Sequence, residues 1–335
     1  MNDLDVAKLA TYLATRLPEA QGEPALARIA GGQSNPSYFL TYPGARFVLR
    51  KKPAGVLLPS AHAIDREYRV QRALAGTAVP VPRMRLYCED KDIVGTEFYV
   101  MDYVPGRVYA ECWMAAAPKE ARPPMILAMA ETLAALHKVD YQRVGLADFG
   151  KSGDYYARQI GRWTRQWEMS KNAPNADVDR VVAWLGDNIP GDVRTTISHG
   201  DYRIGNLIFD PGSGRVAAVL DWELATLGDP LADVAYSALA WRLGADEYMG
   251  MRDKDLAALG IPSEGEYLDH YAKHAPESGR IGNFHFVFAL FRLTAIFEGI
   301  AARARSGTEA SANAAEVGKL AGRFARRAIE AIDHR

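Results

Sequence analysis

One hairpin pattern, with polar residues at its open end, constrains the fold of this 335-residue chain more than any other feature. Two apolar runs, Leu207–Phe209 and 216–220, flank the segment 210–214, which reads DPGSG. Pro and Gly between short apolar runs are typical of a tight turn, so the two runs are predicted to pair as antiparallel strands. Asn206 comes directly before the first strand and Asp221 directly after the second. The hairpin therefore brings both side chains to the same end.

The side chains at this end are of the types that bind a hard cation and accept a proton. An amide oxygen and a carboxylate suit Mg²⁺, which keeps few protein ligands when it is bound together with phosphates. Asp201 lies five residues before Asn206 and can reach the same end without being a ligand. A carboxylate in that place can accept the proton of a substrate hydroxyl. This order of Asp201, Asn206, hairpin and Asp221 is the order of a kinase catalytic loop and metal site.

Strand patterns dominate the first hundred residues, and helical patterns dominate the rest. Apolar alternation and turn residues predict strands over 25–30, 37–41, 47–50, 83–88 and 97–103. Helical spacing predicts helices over 4–17, 61–74, 124–137, 155–170 and 178–188, with further helices towards the C-terminus. The stretch 301–316 is interpreted as a loop between helices. This separation favours an α+β protein of two lobes, residues 1–104 and 105–335.

Charge and composition exclude several other classes of protein. The formal net charge is −1, whereas a general nucleic-acid binder usually carries a basic excess, so we expect no nucleic-acid partner. Cys88 and Cys112 are too few for a disulfide framework or a zinc site. The most apolar stretch, 284–300, is interrupted by charged residues and is interpreted as a buried helix. Because the chain starts without a signal-peptide pattern, we expect a soluble cytoplasmic protein with no membrane partner. Its oligomeric state stays open.

The segments HGDYRIGN at 199–206 and LDWE at 220–223 resemble the aminoglycoside phosphotransferase and choline kinase-like family of small-molecule kinases. The resemblance implies a protein-kinase-like bilobal fold, with a small β-rich N-terminal lobe that binds nucleotide and a larger helical C-terminal lobe for catalysis and substrate. It also implies ATP and Mg²⁺ as cofactors, and transfer of the ATP γ-phosphate to a hydroxyl of a small-molecule acceptor. By the same resemblance Asp201 is the catalytic residue, and Asn206 and Asp221 are the metal ligands.

Further site residues follow from matching the motifs of this family. Arg50 is expected to hold the phosphates, and Glu67, on the next helix, to pair with it. Many relatives have lysine in place of Arg50, so Lys51 stays an alternative, although strand alternation puts it on the other face and Arg50 is preferred. The nucleotide-binding assignments are Gly31, Gly32 and Ser34 in a phosphate-covering loop, Val48 and Arg50 on the following strand, and Met101 and Tyr103 at the hinge between the lobes.

Several conspicuous residues are interpreted as structural or coincidental. The segment 145–152 satisfies the P-loop pattern GxxxxGK[ST], but a helix end and a polar loop precede it where a buried strand is required. The letters DFG at 148–150 match the protein-kinase metal motif, but they come before the catalytic loop instead of after it. Asp229 is predicted to cap a helix. Asp233 is predicted to bond nearby backbone, and His199 to support the loop.

Four strings look like one branch of the family, which is fused to, or encoded near, acyl-CoA dehydrogenases. They are FVLRKKP at 47–53, LPSAHA at 58–63, GLADFG at 145–150 and GNLIF at 205–209. This resemblance implies a hydroxyacyl-CoA thioester as acceptor and an acyl-CoA dehydrogenase in the same pathway. From residue 278 onward, nine basic residues stand against five acidic ones, and basic surfaces suit the phosphates of CoA better than a polycationic aminoglycoside.

Other functions stay open. An acidic, aromatic acceptor pocket would favour an aminoglycoside or choline-type phosphotransferase. A nucleotide-binding pseudokinase that serves as a scaffold is an alternative of another class, although the intact Asp201, Asn206 and Asp221 argue against it. A protein kinase is disfavoured because its usual Ala-Pro-Glu segment does not follow Asp221.

Overall fold

The computed structural model describes residues 4–29, 35–53, 63–151, 153–191, 193–307 and 314–334. The chain begins with helix α1 (Val6–Ala14), which starts where the Asp5 carboxylate accepts a hydrogen bond from the Lys8 backbone N–H at 3.0 Å. An oxygen acceptor at this position satisfies an amide that the first turn of a helix leaves free. The apolar side of α1, with Leu9 and Leu13, is buried.

Strands β1 to β5 form an antiparallel sheet in the N-terminal part of the described chain. Their bounds are Ala25–Arg28, Ser37–Thr41, Arg46–Lys51, Met84–Cys88 and Phe98–Asp102, and their spatial order is β1-β2-β3-β5-β4. Helix α2 (Ile64–Leu74) follows β3, and the short α3 (Lys91–Val94) lies between β4 and β5. The predicted order of three strands, a helix and two strands is confirmed, whereas α3 was not predicted.

The two faces of this sheet contribute to different clusters of apolar side chains. One face, with Leu40, Leu49 and Val100, packs with the buried side of α1. The opposite face carries Val48 and Met101, which lie opposite each other on β3 and β5. Strand alternation therefore directs the side chain of every second residue of β3 towards the second face, as predicted from the sequence.

The remainder of the described chain is mainly helical. Helices α4 to α9 span Arg122–His137, Tyr155–Ser170, Ala176–Asp187, Pro230–Arg242, Leu256–Leu259 and Glu264–His274. Helices α10 to α12 span Asn283–Arg305, Ala314–Gly318 and Leu320–Asp333. The predicted helices over 124–137, 155–170 and 178–188 correspond to α4, α5 and α6. The interpretation of 301–316 as a loop is wrong at both ends, because α10 continues to Arg305 and α11 begins at Ala314.

Helix α10 is the centre of the helical core. Of the described helices it is the one that is long and apolar enough to cross a membrane, yet 83% of its apolar window is buried inside the protein. Phe284 and Phe288 on α10 pack edge-on against Tyr156 of α5, with ring centroids 4.8 and 5.1 Å away. This burial agrees with the interpretation of 284–300 as a core helix. The cytoplasmic location and the lobe boundary after residue 104 stay predictions.

Two short antiparallel pairs sit between α6 and α7. The predicted hairpin is present as β7 (Leu207–Phe209) and β8 (Val216–Val219), with Leu207 opposite Val219. A second pair, β6 (Thr196–Ser198) with β9 (Thr226–Gly228), encloses the hairpin in sequence. The β6–β9 pair fixes both ends of the segment that contains the candidate catalytic residues.

Residues 145–151 of the segment that matches the P-loop pattern lie in a series of turns after α4 and are held by arginines of α2. Arg66 donates to the carbonyl of Phe149 at 2.6 Å, and Arg69 donates to the carbonyl of Gly145 at 3.0 Å and pairs with Asp148. Because these contacts join α2 to the helical part of the chain, the segment has a structural role. Turns precede it where a P-loop requires a strand, so the P-loop interpretation is excluded on structural grounds.

Candidate active site

Asp201 lies in the loop between β6 and the hairpin, where neighbouring side chains fix its carboxylate. Its Oδ2 accepts a hydrogen bond from Asn206 Nδ2 at 2.7 Å, and its Oδ1 accepts one from the Tyr236 hydroxyl at 2.5 Å. The guanidinium Nε of Arg203 lies 3.4 Å from Oδ2. The side chain is still 18% exposed, so a substrate hydroxyl can approach it. Asp201 is thus oriented before any substrate binds.

The backbone of this loop is supported by a buried carboxylate from α7. Asp233 accepts hydrogen bonds from the backbone N–H groups of His199 at 2.6 Å and Gly200 at 2.9 Å. Burial raises the pKa of Asp233, but His137 and the backbone donors outweigh that effect and hold the pKa below its ordinary value. Gly200 has φ +82°, and a Cβ there would lie 2.7 Å from the Leu224 carbonyl oxygen. Only glycine fits this turn without displacement.

His199 and Asp229 also have the structural contacts that were predicted. His199 Nε2 donates to the Leu220 carbonyl at 2.9 Å, and its Nδ1 accepts from the Asp201 N–H at 3.1 Å. Burial lowers the pKa of His199, so the ring is neutral and joins the catalytic loop to the end of β8.

Asp229 caps α7 by accepting from the Leu231 N–H at 2.7 Å. Burial raises the pKa of Asp229 to about 6.

The two predicted metal ligands lie at the open end of the hairpin. The Leu220 N–H donates to the Asn206 carbonyl at 2.8 Å, which brings the residues before β7 and after β8 together. Since Asn206 Nδ2 donates to Asp201, its Oδ1 is the atom with which it can bind a cation. Asp221 has φ +62°, in the left-handed region that only Gly, Asn and Asp visit readily. The Asp221 side chain remains 31% exposed.

A cluster of acidic groups surrounds Asp221. Carboxylate oxygens of Glu67, Asp221 and Glu223 lie within 4.8 Å of one another. Together with the amide oxygen of Asn206 they offer the oxygen-only donor set that Mg²⁺ prefers, so the residues present fit this cofactor. Glu223 was not predicted as a site residue, although it belongs to the motif LDWE at 220–223.

Arg50 lies against this cluster. Its Nε is 2.8 Å from Glu67, and its terminal nitrogen Nη2 is 2.8 Å from Asp221. Burial lowers the pKa of the guanidinium, but the facing carboxylates of Glu67 and Asp221 outweigh it, so the net shift is upward and the group stays charged. By contrast, Lys51 is buried on the other face of the sheet and donates to the Val94 carbonyl at 2.7 Å. The geometry therefore favours Arg50 over Lys51 as the phosphate-binding cation.

Glu67 is held on all sides within the sheet and α2. It accepts from Asn35 Nδ2 at 2.7 Å and from the Tyr99 hydroxyl at 3.0 Å, besides its pairing with Arg50. Burial raises the pKa of Glu67, and the charge of Arg50 opposes that rise. The contact of Glu67 with Arg50 is the one that the sequence predicted. Asn35 was missed because a lone Asn in a loop carries no signal of its long-range partner.

The predicted adenine-side residues lie on or next to the second face of the sheet. Val48 and Met101 are nearly buried there. Tyr103 follows β5 and packs edge-on against Phe39, with ring centroids 5.7 Å apart. Gly31, Gly32 and Ser34 lie outside the described residues, so their assignment to a phosphate-covering loop stays a prediction. The nucleotide-binding roles of Val48, Met101 and Tyr103 likewise stay predictions.

Arginine side chains border the other side of Asp201. Besides Arg203, Arg292 of α10 donates to the Gly200 carbonyl, and its guanidinium lies 5.2 Å from the ring of Tyr236. Burial lowers the pKa of Arg162 on α5, and the charge of Arg292 adds to that shift. Arg203 and Arg292 thus place two guanidinium groups next to the catalytic loop.

Comparison with known proteins identifies the class to which this fold and site belong. Residues 25–272 match the phosphotransferase enzyme family APH. A crystal structure of a candidate aminoglycoside phosphotransferase from Ralstonia eutropha JMP134 superposes with a TM-score of 0.88 and 38% identity, covering 99% of both chains. A thermostable mutant of aminoglycoside phosphotransferase APH(4)-Ia, in complex with AMP-PNP and hygromycin B, has the same fold, with a TM-score of 0.62 and 18% identity over 96% of this chain and 98% of that one. The fold is therefore the predicted protein-kinase-like α+β fold, and the chain belongs to the APH phosphotransferase family.

Curated relatives include much longer proteins. The chain is 44% identical to mouse acyl-CoA dehydrogenase family member 10 over 86% of its own length, and 37% identical to chicken acyl-CoA dehydrogenase family member 11 over 97%. It spans only 27% and 43% of the length of these two relatives. The predicted resemblance to the branch associated with acyl-CoA dehydrogenases is confirmed, whereas the acceptor is not identified by these names.

Proposed function

We propose that this protein is an ATP- and Mg²⁺-dependent phosphotransferase that phosphorylates a hydroxyl group of a hydroxyacyl-CoA thioester. The observation that carries the phosphotransferase proposal is the arrangement of Asp201 beside Asn206 and Asp221. It joins an oriented and accessible carboxylate to an oxygen-donor cluster that fits a hard cation. Phosphoryl transfer needs these two elements and a cation for the phosphates, since its catalysis is mainly positioning and charge neutralisation.

Asp201 would orient the acceptor hydroxyl and accept its proton. The acceptor oxygen forms a bond to the γ-phosphorus of ATP while the bond from that phosphorus to the leaving ADP oxygen breaks. The hydroxyl proton moves to Asp201 and from there to solvent. Tyr236 and Asn206 hold the carboxylate by its two oxygens, which keeps it aimed at the acceptor during this exchange.

The phosphate groups would lie against Arg50 and the acidic cluster. Mg²⁺, when bound, supplies charge neutralisation for the phosphates, and Asn206 and Asp221 are the residues that would hold it. Arg50 already pairs with Asp221, so nucleotide binding would exchange a contact between these two side chains for contacts with phosphate and cation. Glu67 would keep Arg50 in place through its contact with the Nε atom of Arg50.

The acceptor proposal rests on the arginines beside the catalytic loop and on the names of the relatives. Arg203 and Arg292 lie next to Asp201 and Gly200, and they disfavour a polycationic aminoglycoside. The phosphates of a CoA thioester suit the partly exposed guanidinium of Arg203, whereas Arg292 is buried. The chain is similar to part of proteins named acyl-CoA dehydrogenase family members 10 and 11, which supports an acyl-CoA dehydrogenase in the same pathway.

Label transfer from γ-labelled ATP tests both parts of the proposal. The panel of acceptors contains hydroxyacyl-CoA thioesters, aminoglycosides, choline and a generic protein, with the Asp201→Asn variant as the blank. We expect Mg²⁺-dependent label on a thioester. Label on an aminoglycoside or on choline would support the proposed phosphotransferase activity and contradict the proposed acceptor class. Tight ATP binding with no label on any acceptor of a widened panel of hydroxyl compounds would favour the pseudokinase scaffold.

A further inference from the structure

A group of metal-binding side chains lies outside the candidate active site, between α4 and α9. His270 and His274 are four residues apart on α9, so they project from the same side of that helix. Glu131 projects from α4, which packs along α9. One ligand atom from each of these side chains lies within 4.8 Å of the other two. Neither the sequence motifs nor the proposed phosphotransfer uses any of them.

The distances fit a small divalent ion. The Nε2 of His270 lies 2.8 Å from Glu131 Oε1, and the Nε2 of His274 lies 4.0 Å from the same oxygen. Ligand atoms at about 2.0–2.2 Å from a tetrahedral zinc ion stand about 3.4 Å apart, which falls between these two distances. Glu131 is half-exposed, so little packing restricts the rotation of its side chain.

The hydrogen bonding of His274 prepares it as a ligand. Its Nδ1 lies 2.8 Å from the backbone carbonyl oxygen of His270, which can only accept, so Nδ1 carries a proton. In the neutral ring the lone pair is therefore on Nε2, the atom that faces Glu131. Histidines that bind metals usually donate their other ring N–H to a carbonyl or carboxylate in this way, because the bond fixes both the tautomer and the ring orientation.

His270 and Glu131 supply the other two ligands. His270 Nε2 and the Glu131 carboxylate are joined by a hydrogen bond. A metal ion bound by both groups would replace the proton of this hydrogen bond. Both histidine rings are partly exposed, with 22% and 38% of their side chains accessible. A surface pocket of about 450 Å³, lined in part by Glu131 and His274, gives a hydrated ion a path to the group.

We propose that Glu131, His270 and His274 form a binding site for Zn²⁺ or a similar late first-row divalent ion, with water in the remaining position. Two imidazoles and a carboxylate suit Zn²⁺, whereas Mg²⁺ prefers oxygen ligands alone. The site would connect α4 to α9. The Tyr202 hydroxyl of the catalytic loop donates a hydrogen bond to the Met129 carbonyl of α4. The metal would therefore stiffen a helix that supports this loop.

Metal titration of untagged, chelator-stripped protein tests the site. Zn²⁺ is added in competition with a chromophoric chelator, with excess Mg²⁺ present to occupy the acidic cluster of the active site. We expect one equivalent of Zn²⁺ to bind per chain. His270→Ala and His274→Ala should each weaken binding by at least tenfold, and Glu131→Gln should weaken it by a smaller factor.

Matched controls come from the same helix. Lys273→Ala and Asp269→Asn change exposed residues of α9 outside the group, and both should bind Zn²⁺ like the wild type. Circular dichroism shows whether each variant is folded. Co²⁺ should give visible absorption bands of a low-coordinate nitrogen site in the wild type and not in His274→Ala.

Thermal melting gives a readout that is independent of the competition assay. Saturating Zn²⁺ should raise Tm by several degrees in the wild type, because a ligand that binds only the folded state stabilises it, and the shift should disappear in His270→Ala. The proposal is overturned if the wild type does not bind one saturable equivalent, or if both histidine variants bind as tightly as Lys273→Ala. Since these readouts do not use phosphotransfer, their failure leaves the proposed function untouched.

Discussion

Arg50 and Asp221 are 171 residues apart in sequence, yet Nη2 of Arg50 lies 2.8 Å from a carboxylate oxygen of Asp221. The contact joins strand β3 of the sheet to the residue that follows the hairpin of the helical part. It therefore couples the predicted phosphate-binding cation to a predicted metal ligand. Before any ligand binds, each of the two groups neutralises the other.

Arg50 and Lys51 offer a direct test of which cation serves the nucleotide. Arg50→Ala should lower kcat/KM for ATP by about 100-fold, as expected for loss of about 3 kcal/mol of charge stabilisation. Lys51→Ala should leave KM for ATP unchanged, because Lys51 bonds the Val94 carbonyl on the other face of the sheet. Steady-state kinetics at saturating acceptor measure both. Equal losses of ATP affinity in the two variants would contradict this assignment.

The Arg50→Ala variant should also be less stable. It leaves the buried Glu67 carboxylate without its cation, and breaking a buried pair costs about 3–5 kcal/mol. Arg50→Lys should recover only part of this stability, because lysine has a single nitrogen where Arg50 contacts Glu67 and Asp221 through two. Denaturant melts of the wild type, Arg50→Ala and Arg50→Lys measure the loss of stability. This loss can then be separated from the loss of nucleotide binding that the kinetics measure.

Asp201→Asn tests the proton acceptor. The amide keeps the size of the side chain but cannot accept a proton, so turnover should fall by about 10²–10⁴-fold. Affinity for the nucleotide should stay within a few-fold, because the nucleotide contacts are assigned to other residues. Isothermal titration with a non-hydrolysable ATP analogue and single-turnover transfer measure the two quantities. A variant with the full rate of transfer would remove Asp201 from the mechanism.

Asp221→Ala tests the assignment of the metal ligands. Removal of this carboxylate leaves Asn206 and Glu223 at the open end of the hairpin, so a higher Mg²⁺ concentration should be needed for half-maximal activity. Nucleotide affinity should lose most of its dependence on Mg²⁺. Activity is titrated against Mg²⁺ at fixed nucleotide. An unchanged midpoint would show that other residues hold the ion.

Lys151→Ala tests whether the segment that matches the P-loop pattern binds nucleotide. The segment 145–150 is anchored by Arg66 and Arg69, and it lies in turns instead of after a strand. We expect the variant to bind ATP and to turn over like the wild type. Arg66→Ala is the contrasting variant, and it should lower Tm because it removes the bonds to Phe149 and Ala225. Loss of ATP binding in Lys151→Ala would restore the P-loop hypothesis.

Local chemistry explains which parts of the fold could be predicted from the sequence. The hairpin of β7 and β8 is specified by a turn of Asp, Pro and Gly between apolar runs, and strand alternation separates Arg50 from Lys51. These signals lie within a few residues of each other, so no knowledge of distant partners is needed. The same is true of the Asp229 cap, which combines an acceptor with proline at the start of α7.

The parts that were missed depend on distant contacts. Strand β9 is three residues long and pairs with β6 across about thirty residues, so it has no recognisable pattern of its own. Asn35 and Glu223 acquire their neighbours only when the sheet and the hairpin meet around Glu67. The end of α10 was misplaced because its last turn is rich in Ala and Arg, which form helices well without an apolar periodicity.

Asp229 predicts how stability depends on pH. Burial raises its folded-state pKa to about 6, above the ordinary value of 3.8. The folded protein therefore holds this proton in a pH range where the unfolded chain has released it. The stability contributed by the group is fully present below about pH 4 and is lost as the pH rises through about 6. At neutral pH the folded state bears the cost of a buried carboxylate.

Asp229→Asn should remove this dependence while keeping the cap, because asparagine also accepts the Leu231 N–H. The free energy of unfolding of the variant minus that of the wild type should rise by about 1 kcal/mol between pH 5 and pH 8. The rise occurs because only the wild type loses the stability of the proton bound to Asp229 over this range. Urea melts of both proteins across this range give the difference directly. Asp255→Asn, at the exposed cap of α8, is the matched control for replacing a capping carboxylate by an amide. A difference between wild type and Asp229→Asn that stays constant with pH would show that the Asp229 carboxylate is ionised throughout the range.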